Sequence, residues 1–187
     1  KMVKNDWKKV IDDEGEEHWM YFQAGGKKIV GKDTPKVVSV TGKKYIFNEN
    51  GYMMSGWVNA KDYDQPDEDE VWHDAVYYCG DAEDGAVRYG WQQIDVVDNA
   101  EDIIDQSYWF YFLPSGKKFC ADITKFNEGD AVLAERSING KKYAFNQYGV
   151  MKAEWEQVVS TASNASDNAG AYAWFHTVED GSKLANG

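Results

Sequence analysis

The feature that most constrains this chain is a phrase repeated on one skeleton: an aromatic strand, a turn closing on Gly, a second short strand, and a closing Trp. Trp19-Met20-Tyr21-Phe22-Gln23-Ala24-Gly25-Gly26 is one copy, and Trp109-Phe110-Tyr111-Phe112-Leu113-Pro114-Ser115-Gly116 is another. Lys43-Lys44-Tyr45-Ile46-Phe47 runs on to Gly51, Met53 and Gly56-Trp57, while Lys141-Lys142-Tyr143-Ala144-Phe145 runs on to Gly149, Met151 and Glu154-Trp155. Tyr45, Phe47, Gly51, Met53 and Trp57 each recur 98 positions later, at Tyr143, Phe145, Gly149, Met151 and Trp155. Trp19, Tyr21, Phe22, Gly26, Lys27 and Lys28 recur 90 later, and Glu83-Asp84-Gly85 recurs 96 later as Glu179-Asp180-Gly181. Near-constant offsets across several residue types indicate duplication, with insertions placed in the connectors. Such a chain is a stack of small units, and its function belongs to the surface that the stack presents.

Each phrase reads as a β-hairpin: a short aromatic or β-branched run, a polar turn with Gly, then another short run. Gly26, Gly51, Gly85, Gly116, Gly149 and Gly181 are expected to supply positive φ in those turns. A lone hairpin is barely stable in water, whereas stacked hairpins bury one another's aromatics. Val10, Ile94 and Val158, each three positions after a closing Trp, mark a linking strand. The predicted fold is therefore all-β, a solenoid-like stack of hairpin repeats with little helix. One set of repeats spans 1–91 and a second 92–187, in one continuous array. The connectors Lys61 to Glu70, Asp95 to Asp105 and Ser160 to Asn168 lack helical periodicity and read as surface loops.

Composition sharpens this picture. Aromatics make up 15% of the 187 residues, with 8 Trp and 12 Tyr, so flat rings carry packing that Leu usually supplies. The net charge of −12 argues against nucleic acid and against an anionic membrane surface, and leaves neutral or cationic ligands. Cys79 sits in the slot held by Phe22, Phe112 and Phe175 elsewhere and reads as a buried apolar substitute; the alternative is a bridge to Cys120, itself read as a strand residue. No apolar run approaches membrane-spanning length. The chain opens in mid-phrase at Lys1 and stops at Gly187 where the pattern would next place Trp, as a segment of a larger polypeptide would.

Other chemistries find little support. The acidic run Asp62 to Glu70 lacks the Gly and Glu spacing of a calcium loop and reads as a solvated charge run. His18, His73 and His176 are isolated, so neither a metal site nor a cofactor is expected. No hydrolase, metalloprotease or phosphate-loop motif occurs, and no particular pair of acids is marked for catalysis. The Lys pairs at 27-28, 43-44, 117-118 and 141-142 read as guards of strand edges, with an anionic phosphate as the alternative contact.

The phrase Trp-x-Tyr-Phe, Gly, Met-x-x-Gly-Trp resembles the cell-wall-binding repeats of Gram-positive surface proteins, which include choline-binding and glucan-binding modules. Gly42 to Trp57 is the best match and Asn139 to Trp155 follows closely; all six units share in it. The resemblance implies a non-catalytic hairpin solenoid, secreted or at the bacterial cell surface, that holds a larger protein on an envelope polymer. It also implies ligand cages made from the Gly-Trp tryptophan, the first aromatic of the hairpin strand and an aromatic of the next unit. Carried over, the closing tryptophans are Trp7, Trp57, Trp91 and Trp155, and the strand aromatics are Trp19, Trp109 and Tyr172, with Tyr21, Tyr111 and Trp174 beside them. The first strand position is Lys44 or Lys142 in the short units and Val76 in the third hairpin. First and third strand positions share a face, so the short units are expected to offer Lys beside Ile46 or Ala144 at the cage wall. One or two incomplete choline sites, or a sugar-binding surface, are then expected rather than a site at every junction. Sugar rings stack on Trp faces, and residues such as Gln92 and Gln93 could fix their hydroxyls.

The reading is thus a wall- or carbohydrate-binding module whose partner is a cell-wall polysaccharide, a glucan or a choline-bearing teichoic acid, with no nucleic acid and no membrane insertion. The alternative is a structural spacer or protein-interaction stalk whose aromatics serve only packing.

Overall fold

The computed structural model describes residues 2–61, 63, 71–98, 103–124, 132–152, 155–159 and 172–176; side chains of 98, 103–105, 155–159 and 172–176 are not described. The architecture is an all-β hairpin-repeat fold. Its strands run β1 (Asp6–Ile11), β2 (Glu17–Phe22), β3 (Val38–Val40), β4 (Lys43–Tyr45), β5 (Gly56–Asn59) and, after the one-turn helix α1 (Val71–Asp74), β6 (Ala75–Cys79). They continue with β7 (Gly90–Asp98), β8 (Ile103–Phe112), β9 (Ala134–Ile138), β10 (Lys141–Phe145), β11 (Met151–Lys152), β12 (Trp155–Val159) and β13 (Tyr172–His176). Contacts gather into two units, 1–90 with 112–118 and 91–111 with 119–187.

The sheets are small and antiparallel: β1-β2, β3-β4, β5-β6, β7-β8, β12-β13, and a three-stranded β11-β10-β9. The long ladders join the strand carrying the closing Trp to the aromatic strand that follows it. Trp7 faces Tyr21 and Lys9 faces Trp19 across β1-β2, and Trp57 faces Tyr78 across β5-β6. In β12-β13, Trp155 faces His176 and Gln157 faces Trp174. The return strand expected in each hairpin is mostly a single rung, Phe22 with Lys28, Phe47 with Met53, Cys79 with Val87 and Phe112 with Lys118. In the fifth hairpin it lengthens to β11, where Phe145 faces Met151.

The return residue has a second partner, and that partner does the stacking. In the first unit Met53 N–H donates to Trp19 C=O (2.8 Å), Val87 N–H to Lys44 C=O (2.8 Å), and Lys118 N–H to Val76 C=O (2.7 Å). Each hairpin is thereby bonded to the first strand position of the one before it. One turn geometry also recurs. Gln23, Asn48, Leu113 and Asn146 each donate to a carbonyl four residues on and accept from the Gly three residues on. Gly26, Gly51, Gly116 and Gly149 hold φ between 76° and 91° there, a region costly for residues with a Cβ.

Gly85 departs from the expectation, since its φ is not positive. It is needed for close approach: a Cβ at Gly85 would lie 2.5 Å from Met54 O and 2.8 Å from Met53 Cε. Gly181 lies outside the described residues. The predicted connector 95–105 is corrected as well, because β7 continues to Asp98 and β8 begins at Ile103. Ile94 and Val96 alternate into the core at 6% and 5% exposure, a period-two pattern that outweighs the flanking acids.

The core of the first unit has two clusters. Ile46, Met54, Val58, Tyr77, Cys79 and Val87 form one; Tyr21, Val40, Tyr45, Phe47 and Ala86 form the other, with Trp7, Ile29 and Met53 packed against it. In the second unit Phe110 and Phe145 are fully buried, each worth roughly 1.5–3 kcal/mol. Cys79 and Cys120 are free thiols: Cys79 is buried in the Phe slot, and Cys120 is exposed and lies outside any strand, unlike its predicted placement.

Candidate functional site

Trp7 is the centre of a candidate site among the described residues. Its indole meets Tyr45 edge-on at 4.8 Å, Tyr21 edge-on at 5.3 Å, and stacks near Phe47 at 5.8 Å between ring centroids. Beside it opens a cavity of about 360 Å³ lined by Trp7, Trp19, Lys43, Tyr45, Met53, Glu83 and Asp84. That volume falls in the usual range for small-molecule sites. β1 supplies Trp7, β2 Trp19, β4 Lys43 and Tyr45, the return rung Met53, and the third hairpin's turn the two carboxylates.

The wall is better than expected from the sequence. Lys44 and Ile46 do not line the cavity; Tyr45 does. Strand alternation puts Tyr45 and Phe47 on the face turned to Trp7, while Ile46 is fully buried in the other cluster and Lys44 Nζ lies 5.5 Å from the Tyr89 ring centroid. The short unit therefore contributes an aromatic wall through Tyr45, and the ammonium it brings to the cavity is that of Lys43, paired with Asp84, rather than that of Lys44.

The acidic rim is anchored. Asp81 Oδ1 accepts from the backbone N–H groups of Glu83 (2.9 Å) and Asp84 (2.8 Å), a local turn that holds both side chains in place. Those bonds hold the Asp81 carboxyl below its ordinary pKa. Glu83 uses both oxygens, accepting from Lys9 Nζ (2.7 Å) and from Trp19 Nε1 (3.2 Å). The Lys9 bond first, then the Trp19 bond, lowers the Glu83 pKa, and the Lys9 pKa is raised in return. Lys9 Nζ also lies 5.3 Å from the Trp19 ring centroid and 2.9 Å from Glu17. Trp19 is thus held in orientation by a carboxylate and a cation, and Lys43 pairs with Asp84 at 3.4 Å.

The second unit repeats the ring geometry. Trp91 meets Tyr143 at 4.8 Å, Tyr111 at 5.3 Å and Phe145 at 5.6 Å, and Trp109 lies edge-on at 6.2 Å. These are the same positions, Trp91 for Trp7, Trp109 for Trp19, Tyr143 for Tyr45, with Met151 on the rung that Met53 occupies. Trp109 is 42% exposed.

The other predicted residues lie as follows. Tyr21 is buried at 8% exposure and supports Trp7 rather than lining the cavity; Tyr111 plays the same part beside Trp91, with the Arg136 guanidinium 5.5 Å from its ring centroid. Trp57 is half-buried against Tyr78 (4.9 Å) and Phe112 (6.1 Å), and Lys118 Nζ lies 5.4 Å from its ring centroid. Trp155, Tyr172 and Trp174 stand on β12 and β13, and their side chains lie outside the described residues, as does the acidic run except Tyr63. Sequence reasoning assigned no site role to Tyr45, Met53, Glu83 or Asp84. The recurrence of Glu83-Asp84-Gly85 at 179–181 was the available signal. No group of metal ligands occurs among the described residues, and no helix there is long and apolar enough to cross a membrane.

No protein-family model and no curated protein matches the chain. Solved structures do. CbpF in complex with ipratropium aligns with a TM-score of 0.59 at 19% identity, over 95% of this chain and 42% of that one. Choline binding protein F from Streptococcus pneumoniae in the presence of a peptidoglycan analogue aligns over 95% of this chain and 65% of that one, at TM-score 0.33 and 18% identity. The cell wall endolysin from phage Cp-1 complexed with choline covers 78% of this chain and 36% of that one, at TM-score 0.35 and 16% identity. The chain thus spans 42% of the length of the CbpF structure. The likeness to CbpF establishes that the two share a hairpin-repeat fold.

Proposed function

We propose that this chain is a non-catalytic module that binds the bacterial cell wall by taking a cationic group, choline on teichoic acid, into the Trp7 cavity. The observation that carries the reading is the cavity itself. Trp7, Trp19 and Tyr45 bring three rings, Met53 an apolar floor, and Glu83, Asp84 and Lys43 a charged rim in which Lys9 pairs with Glu83 and Lys43 with Asp84. A quaternary ammonium cannot donate hydrogen bonds, so it is held by ring faces and nearby anions, at about 0.5–2 kcal/mol per ring contact. The ring set around Trp91 and Trp109 supports a second site of the same kind. The fold shared with a protein named for binding choline supports the same ligand class. Placed in a larger secreted polypeptide, the module would hold it at the cell surface.

Titration with choline chloride, followed by tryptophan fluorescence, tests the reading. Saturable change is expected, and Tyr45→Leu should weaken it. A spacer whose rings serve only packing would show no saturable change with choline, with glucan oligosaccharides or with purified walls.

A further inference from the structure

Two differences between the Trp57 junction and the Trp7 junction bear on the ligand's place. The first strand position, Trp19 beside Trp7, is Val76 in the hairpin that follows Trp57. The return rung, Met53 with Phe47 in the Trp7 cavity, is Lys118 with Phe112 here. Lys118 is only 7% exposed, an unusual state for a lysine. Its ammonium lies 5.4 Å from the Trp57 ring centroid and donates to the carbonyl oxygens of Trp72 and His73, the latter at 3.2 Å. Those carbonyls belong to α1, a single turn. The contacts of Lys118 are therefore those that a bound primary ammonium would make: one ring face and two carbonyl acceptors, out of water.

We propose that Lys118 is a tethered ligand, its ammonium filling at Trp57 the place that an external cation takes at Trp7, so that this junction is closed to wall ligands and selective for a primary ammonium. The comparison with Trp7 rests on the cavity there being a cation site; the geometry around Lys118 does not. The selectivity follows from the acceptors. Two buried carbonyls reward N–H donors, which a primary ammonium has and a quaternary one lacks. The closing Trp of a repeat therefore does not by itself mark an open site. The residue on the return rung decides, Met leaving room and Lys filling it. Trp57, which the sequence pattern singles out as a wall contact, becomes the lid over the chain's own cation.

Two measurements on the same protein test this. In the wild type, the Lys118 Hε protons should resonate well upfield of ordinary lysine values because of the Trp57 ring current. Choline should move the Trp19 indole signal saturably while leaving Lys118 in place. Lys118 at ordinary lysine shifts, or displaced by choline in step with Trp19, would overturn the proposal. The second measurement uses Lys118→Ala, which removes the four atoms matched by n-propylammonium. Its melting temperature should fall and be restored saturably by n-propylammonium, but not by equal concentrations of tetramethylammonium. Equal restoration by both ions, or by neither in the folded variant, counts against it. If the variant does not fold, the wild-type ring-current shift decides alone. Should choline bind nowhere while the Lys118 signals stay upfield, the wall-binding reading fails and the tethered ammonium stands.

Discussion

Replacing Trp19 by Leu separates the ring that faces the cavity from the ring that holds the core. Trp7 cannot serve, because it packs on Tyr21, Tyr45 and Phe47 at once. Trp19 lines the cavity, and its described polar contacts go to the side chains of Glu83 and Lys9. Removing one ring face from a three-ring cage costs a bound cation about 1–2 kcal/mol, or about 5- to 30-fold in Kd. Folding stability should move by less than about 1 kcal/mol, roughly 4 °C in Tm, because the lost contacts lie at the surface. Trp109→Leu is the matched change beside Trp91. Calorimetric titration with choline chloride should show each single variant losing one tight site and keeping the other, and the double variant losing both. Circular dichroism melts would accompany each titration. A folded double variant that binds choline with the wild-type Kd would refute the cage assignment. A fall of more than roughly 10 °C in Trp19→Leu would show that ring to be packing instead.

Gly85→Ala should destabilise the first unit by about 1–3 kcal/mol in urea unfolding, since its Cβ meets Met54 O and Met53 at well under contact distance. Asp12, hydrogen-bonded to His18 Nε2 (2.8 Å) and to the N–H groups of Glu16 and Glu14, has its pKa lowered, chiefly by His18. A lowered carboxylate pKa adds stability above the unfolded value that disappears as pH falls through the folded one. The stability gap between wild type and Asp12→Asn should accordingly be present at neutral pH and close in acid. Glu83, lowered in the same direction, predicts that choline affinity declines only at pH below the ordinary carboxylate range. Burial pushes the Cys79 thiol up to about 12, so a thiol reagent at pH 8 should modify Cys120 alone until denaturant is added.

The strands and the paired ring clusters were legible because the aromatic positions recur at fixed spacing, and spacing in a hairpin translates directly into which rings meet. Trp7, Trp19, Trp91 and Trp109 could be picked out for that reason. Tyr45 has no sequence-derived site role because the wall is read from Lys44 and Ile46, whereas Trp7 meets the opposite face, which carries Tyr45 and Phe47. Glu83 and Asp84 come from a turn distant in sequence, brought against the second hairpin by the stacking rung from Val87 to Lys44 and by shared core contacts. Lys118 looked like half of an edge-guarding pair. Its burial depends on α1, whose carbonyls are placed by chain folding that no periodicity announces. Gly85 departs from its sister turns because it is needed for close approach, and the β7-β8 ladder forms despite its acidic flanks because Ile94 and Val96 alternate into the core.

A crystal soaked in choline chloride tests the central claim most directly. The account predicts a trimethylammonium group within about 6 Å of the Trp7, Trp19 and Tyr45 ring centroids, beside Met53. Choline seated elsewhere with that cavity vacant, or no choline bound at all, would contradict it.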